Sequence, residues 1–138
     1  MVHSEKFEKL IALFQNDCFA VEATGVVIDE LQDKYAVCSF TVKKKHLNAA
    51  NSVMGGAIYT LADYTFSLAA NTESTTITLS SHINYLIFAK CERLIATARC
   101  IKSGKTVCVY GVEVKDEYGV LIAHATFEGY RIKTEKTE

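Results

Sequence analysis

The sequence predicts an α+β domain in which a curved antiparallel sheet wraps around one long buried helix. Three observations carry this. Residues 54–70 form a helix-length segment that is apolar on every side, β-rich stretches flank it, and turn signals separate the later stretches. A helix apolar all round belongs in a core, and strands on both sides supply the sheet that must cover it. The 138 residues suit a single domain, 1–138, because one core serves that length while two would leave each half short of buried area.

Residues 1–17 read as a short amphipathic helix. Ser4 is its expected N-cap, and Phe7, Leu10, Ile11 and Phe14 fall on one helical stripe. Residues 19–29 and 35–42 are rich in β-branched and aromatic side chains and are expected as two strands joined near Gln32 and Asp33. Lys43-Lys44-Lys45-His46 breaks that pattern, and the polar run from Asn48 to Ser52 reads as an irregular loop.

In the segment 54–70, MGGAIYTLADYTFSLAA, the residues Ile58, Leu61, Ala62, Thr65, Leu68 and Ala69 make one stripe. Tyr59, Phe66 and Ala70 place apolar groups opposite them. The segment is short for a membrane span and carries Asp63, so burial inside the domain is the better account. Four strands are expected after it, at 75–88, 94–102, 106–115 and 120–132. Ser103-Gly104-Lys105 and Asp116-Glu117-Tyr118-Gly119 separate the last three, as hairpin turns do. Residues 134–138 read as a disordered tail.

Charge narrows the class of function. Fifteen Lys and Arg against sixteen Asp and Glu leave no basic field for nucleic acid, and no membrane partner is expected. Five cysteines, an odd number without a Cys-x-x-Cys pair, read as reduced thiols, and the N-terminus lacks the pattern of a secretory leader. A cytoplasmic location is expected. The four histidines are scattered without ligand spacing, so neither a metal nor a cofactor is expected.

Asp63 is the one charged residue of the apolar segment and lies too deep to cap the helix. Burial of a carboxylate is costly and raises its pKa, which also prepares a general base or nucleophile; a salt bridge across a subunit contact is the structural alternative. Gly55-Gly56 opens the helix, where close backbone approach and unpaired N–H groups suit a developing oxyanion. A tight turn is the bland reading of the same pair. Asp63 follows Gly55 by eight residues. That puts it about 12 Å farther along the axis, so one helix cannot bring both groups to one carbonyl. A symmetric partner would have to supply the other half. Asn48 has an amide to donate beside the helix start, or is a loop cap.

The stretch HLNAANSVMGGAIYTLADYTFSLAAN, residues 46–71, resembles the hotdog-fold acyl-CoA thioesterases of the phenylacetate-degradation type. Their pattern is H-x-N-x-x-G-x-x-H-G-G followed by L-A-D. The resemblance continues through HINYLIFAK, Gly104-Lys105 and VEVKDEYGVLIAHATF to cover about residues 16 to 133. It implies hydrolysis of an acyl-CoA thioester by a homodimer, commonly doubled to a homotetramer. In it Asp63 is the catalytic carboxylate, the Gly55 N–H and Asn48 polarise the carbonyl, and Thr78, or Ser80 if the alignment slips, orients water. Three residues depart from the pattern: Met54 stands for the His of H-G-G, Asn51 for the earlier Gly, and Ile87-Phe88 for Arg-Pro.

Met54 adds flexible apolar surface beside Gly56, and Tyr59, Tyr64 and Phe66 are either pocket walls for the acyl group or plain core. A non-catalytic acyl-CoA sensor is the alternative function. A hotdog dehydratase would want a catalytic His where Met54 stands.

Overall fold

The computed structural model describes residues 2, 3 and 5–132 of the chain. Elements follow in the order β1 (Val2–His3), a 3-10 turn (Glu5–Phe7), α1 (Glu8–Phe14), a π-helical turn (Cys18–Ala23), β2 (Val27–Gln32) and β3 (Tyr35–Thr41). A 3-10 turn (Lys44–His46), α2 (Gly55–Ala70), β4 (Thr76–Tyr85), β5 (Arg93–Ser103), β6 (Val107–Asp116) and β7 (Leu121–Arg131) complete them. The expected Ser4 cap and the 134–138 tail lie outside the described residues.

The sheet order is β1-β2-β3-β5-β6-β7-β4. The six long strands are antiparallel throughout, and only the two-residue β1 pairs in parallel with β2. The sheet curves around α2, which touches every strand from β2 to β7. This is the sheet-wrapped helix expected of a segment apolar on every side. Its buried stripe, Ile58, Leu61, Ala62, Thr65, Leu68 and Ala69, faces the sheet. On the other side Phe66 is also buried, stacked on Phe127 with ring centroids 4.8 Å apart and edge-on to Tyr110 at 5.5 Å. α1 and the 3-10 turn before it close the domain from outside: Phe7 of the turn and Ile11 of α1 are buried, and the Tyr64 hydroxyl donates to the Phe14 carbonyl at 3.0 Å.

One expected strand is corrected. Residues 18–23 form a π-helical turn, and β2 starts only at Val27 and runs to Gln32. The Asp17 carboxylate accepts from the Ala20 N–H, Thr24 N–H reaches the Phe19 carbonyl, and Gly25 reverses the chain at φ +80°. These local hydrogen bonds outcompete the β propensity of Phe19, Val21 and Thr24. β4 likewise ends at Tyr85, short of the expected Phe88. The β6–β7 turn forms where its residues called for it: Gly119 sits at φ +84° and the Asp116 carboxylate accepts from Tyr118 and Val120. No helix among the described residues is long and apolar enough to cross a membrane.

Candidate active site

Asp63 stands in the middle of α2, half-buried and facing β4. The Thr78 hydroxyl on β4 lies 3.4 Å from its Oδ1. A bulge between Thr78 and Ser80 follows immediately, and it sends the Ser80 hydroxyl to Glu128 at 2.6 Å instead. Of the two hydroxyls considered from the sequence, Thr78 is therefore the one beside the carboxylate. Burial raises the Asp63 pKa above the ordinary 3.8, the Thr78 hydroxyl opposes that, and the negative charge of Asp17 reinforces it.

Gly55 and Gly56 form the first turn of α2, after Met54 in extended conformation. Among the described residues no acceptor takes either glycine N–H, as the open end of a helix requires. Tyr85, the last residue of β4, donates its hydroxyl to the Gly55 carbonyl at 3.1 Å. A Cβ at residue 55 would lie 3.3 Å from that ring, so glycine is what lets Tyr85 cover the helix start.

Asn48 organises the loop before the helix. Its Oδ1 accepts from the N–H groups of Ala50 and Ser52 and from the Ser52 hydroxyl, at 2.9, 3.2 and 3.2 Å. Those three donors orient the amide and leave Nδ2, a pure donor, without an acceptor among the described residues. Thus the loop-cap role is real and leaves the side-chain amide N–H groups free. Asn51, which stands where the pattern has Gly, adopts φ +58°, a conformation asparagine tolerates better than most residues. The departure is conservative in backbone terms.

His46 ties this loop to the π-helical turn. Its Nδ1 accepts from the Lys43 N–H at 2.9 Å, so Nε2 carries the proton and donates to the Thr24 carbonyl at 2.7 Å. The ring is buried and stacks on Phe40 at 4.4 Å. Beside it a cavity of about 430 Å³ opens at the α2 N-terminus, with Phe19, Met54, Gly56, Ala57 and Thr60 in its wall. Met54 and Gly56 therefore stand where a ligand at the helix start would touch them.

Tyr59 is half-buried and exchanges a hydrogen bond with Ser81 at 2.8 Å. Phe66, expected as either pocket wall or core, is core: it is 1% exposed and enclosed by Phe127 and Tyr110. Two residues escaped the sequence reading. Tyr85 was legible only as a strand residue, and Phe19 as part of a strand that does not form. All five cysteines are free thiols, and burial pushes Cys38 up to about 12. No group of His, Cys, Asp or Glu among the described residues is placed to hold a metal ion.

The thioesterase superfamily profile matches residues 50–123, which run from within the loop through α2, β4, β5 and β6 into the start of β7. The chain is 36% identical over 122 residues to a putative esterase of Archaeoglobus fulgidus, covering 87% of this chain and 79% of that protein. It is 32% identical over 124 residues to the Escherichia coli protein named acyl-coenzyme A thioesterase PaaI, covering 88% and 87%. The solved structure of E. coli PaaI superposes with a TM-score of 0.84 at 28% identity, over 88% of this chain and 89% of that one. A hypothetical thioesterase of Streptococcus pneumoniae, solved with coenzyme A, superposes with a TM-score of 0.81 at 26% identity, over 91% and 99%. By sequence profile, by relatives spanning most of their length and by the fold itself, the chain belongs to the thioesterase superfamily, as a PaaI-like hotdog-fold thioester hydrolase.

Proposed function

We propose that the protein hydrolyses acyl-CoA thioesters in a homodimer whose active sites each combine Asp63 of one protomer with Gly55 and Asn48 of its partner. The observation that carries this is that α2 holds two incomplete half-sites, a carboxylate of raised pKa and an unsatisfied N-terminal turn, about 12 Å apart along its axis. The solved coenzyme A complex of the pneumococcal relative supports the substrate class.

β4 supplies the pairing geometry. It is an edge strand, and Ile77, Leu79 and Tyr85 on it are each about half exposed. An open apolar edge of this kind invites a second strand, and a two-fold axis makes the pairing antiparallel. With the axis beside Ser81, that residue faces its own copy and Thr78 lies opposite the partner copy's residue 84, next to its residue 85. Since Thr78 touches Asp63 and Tyr85 touches Gly55, that register brings each half-site toward its complement.

In the reaction the Asp63 carboxylate takes a proton from water, or itself attacks the thioester carbonyl. The carbonyl oxygen, as it becomes negative, accepts from the Gly55 N–H and Asn48 Nδ2. Thr78 holds the carboxylate or the water in line. The tetrahedral centre then collapses and coenzyme A leaves as a thiol after gaining a proton; where Asp63 activates water the acid is released directly, and where Asp63 attacks, a second step in which water hydrolyses the Asp63 anhydride releases it. The test is free-thiol release from short, medium, long and aromatic acyl-CoAs, wild type against Asp63→Asn at matched folded concentration. Turnover lost in the variant supports the reading. No turnover on any acyl-CoA, with binding retained, replaces it with a sensor.

A further inference from the structure

β4 runs into a segment that the fold holds at both ends. The Leu86 N–H donates to the Ile122 carbonyl at the start of β7, and the Ala89 carbonyl accepts from the Val53 N–H just before α2, both at 2.9 Å. Ala89 itself is buried. The side chains of Leu86, Ile87 and Phe88 are not: the first two are half exposed and Phe88 is 80% exposed. Three large apolar side chains presented to water on a fixed backbone are unfavourable until something covers them, and patches of this kind mark binding sites.

Tyr85 joins this patch to the candidate active site. With Leu86, Ile87 and Phe88 it lines a hollow of about 420 Å³ whose wall carries no charged residue. The same Tyr85 donates its hydroxyl to the Gly55 carbonyl and lays its ring over the helix start. The cavity walled by Phe19, Met54 and Gly56 shares none of these four residues. Two separate spaces therefore open beside the turn that is to receive the thioester carbonyl, and a thioester carbonyl has two arms. The hollow at Tyr85 is the one without charge, and its volume falls in the range of about 300–1,000 Å³ that small-molecule sites occupy.

We infer that Tyr85, Leu86, Ile87 and Phe88 form the acyl subsite, and that it takes an uncharged apolar acyl chain longer than acetyl. The inference rests on the acyl-CoA reading above and deepens it by naming the acyl class. Ile87 and Phe88 stand where the family pattern has Arg-Pro, so the selection belongs to this chain. Each methylene laid against this wall leaves water and adds to binding. A carboxylate at the far end of the acyl group would lose its hydration there and find no partner, so dicarboxylic acyl groups are rejected.

The experiment measures kcat/KM for acetyl-, butyryl-, hexanoyl-, octanoyl- and succinyl-CoA on wild type and on Ile87→Ala/Phe88→Ala. In wild type kcat/KM should rise about threefold per added methylene, and butyryl-CoA should exceed succinyl-CoA by about tenfold or more. In the variant the octanoyl-to-acetyl ratio should fall by about tenfold or more. A wild-type profile flat in chain length, or an octanoyl-to-acetyl ratio equal in both proteins, overturns the subsite. So does a variant that sediments as a monomer where the wild type is a dimer, because a second copy then covers the patch. Calorimetric titration of Asp63→Asn with octanoyl- and acetyl-CoA keeps the two readings apart, since it needs no turnover. Tighter octanoyl-CoA binding that Asp63→Asn/Ile87→Ala/Phe88→Ala loses supports the subsite even if the wild type cleaves no thioester. Hydrolysis by the wild type without that preference leaves the hydrolase and removes the subsite.

Discussion

The Thr78 hydroxyl lies 3.4 Å from Asp63 Oδ1, so the one charged side chain of the buried helix meets a hydroxyl from an edge strand. At this length the contact is weak in the resting protein and tightens only if catalysis needs it. Asp63→Asn should therefore abolish thiol release, by about hundredfold or more in kcat, and Thr78→Ala should cost about ten- to thirtyfold. Ser80→Ala, whose hydroxyl bonds to Glu128 instead, should leave kcat within about twofold. Steady-state kinetics on the three variants checks the order.

The raised Asp63 pKa has a signed consequence. Activity needs the ionised carboxylate, so the acid limb of kcat/KM against pH should rise with a midpoint above the ordinary 3.8. Stability runs the other way. The folded protein binds this proton more tightly than the unfolded chain, so stability falls as pH rises from 3.8 through the raised value. Asp63→Asn removes that cost and should melt higher than wild type at pH 7, with the advantage vanishing below the ordinary carboxylate range. A Tm series across pH that shows the opposite trend contradicts the assignment.

Pairing of β4 with its own copy makes a cross-linking prediction. In a Cys18→Ser background, which removes the one exposed thiol among the described residues, Ser81→Cys should form an intermolecular disulfide under mild oxidant. A cysteine far from the proposed axis, such as Ile77→Cys, should not. Non-reducing electrophoresis separates the two. Cross-linking of both alike, or of neither, rules out the register centred on Ser81.

His46 holds the loop before α2 against the π-helical turn with both ring nitrogens satisfied. His46→Ala leaves the Thr24 carbonyl and the Lys43 N–H without their partner and opens space against Phe40, so it should cost about 2–4 kcal/mol. Hydrogen exchange should quicken in residues 18–26 and 43–54 before the strands β5 to β7 respond.

Phe66 tests the core independently of the site. Its ring is enclosed by Phe127 and Tyr110, and Phe66→Ala should cost about 3–5 kcal/mol in denaturant unfolding. Phe66→Leu should recover most of that, since a filled core matters here more than an aromatic face.

How much was legible depends on the range of the interaction that decides each feature. The buried helix was plain in residues 54–70 because apolarity on all faces has one physical outlet, a core, and the flanking β-rich stretches said what would form its walls. The hairpin turns were equally plain, since Gly104 and Asp116–Gly119 act over a few residues. Asp63 and Gly55 stood out as candidate chemistry for the same reason, and their spacing along one helix is what the proposed two-copy site rests on.

Long-range geometry decided the rest. Thr78 and Ser80 differ by two positions in sequence, and only the bulge between them sends one hydroxyl to Asp63 and the other to Glu128. Phe66 and Tyr59 look alike on a helical wheel, yet the curvature of the sheet buries the first and leaves the second at the β4 edge. Residues 18–23 carry strand-forming side chains and still close into a π-helical turn, because the Asp17 cap and the His46 bond to Thr24 are worth more there than a ladder. Composition and periodicity determined which helix is buried and what chemistry it carries; register, curvature and the contacts of distant loops decided which neighbours that chemistry meets.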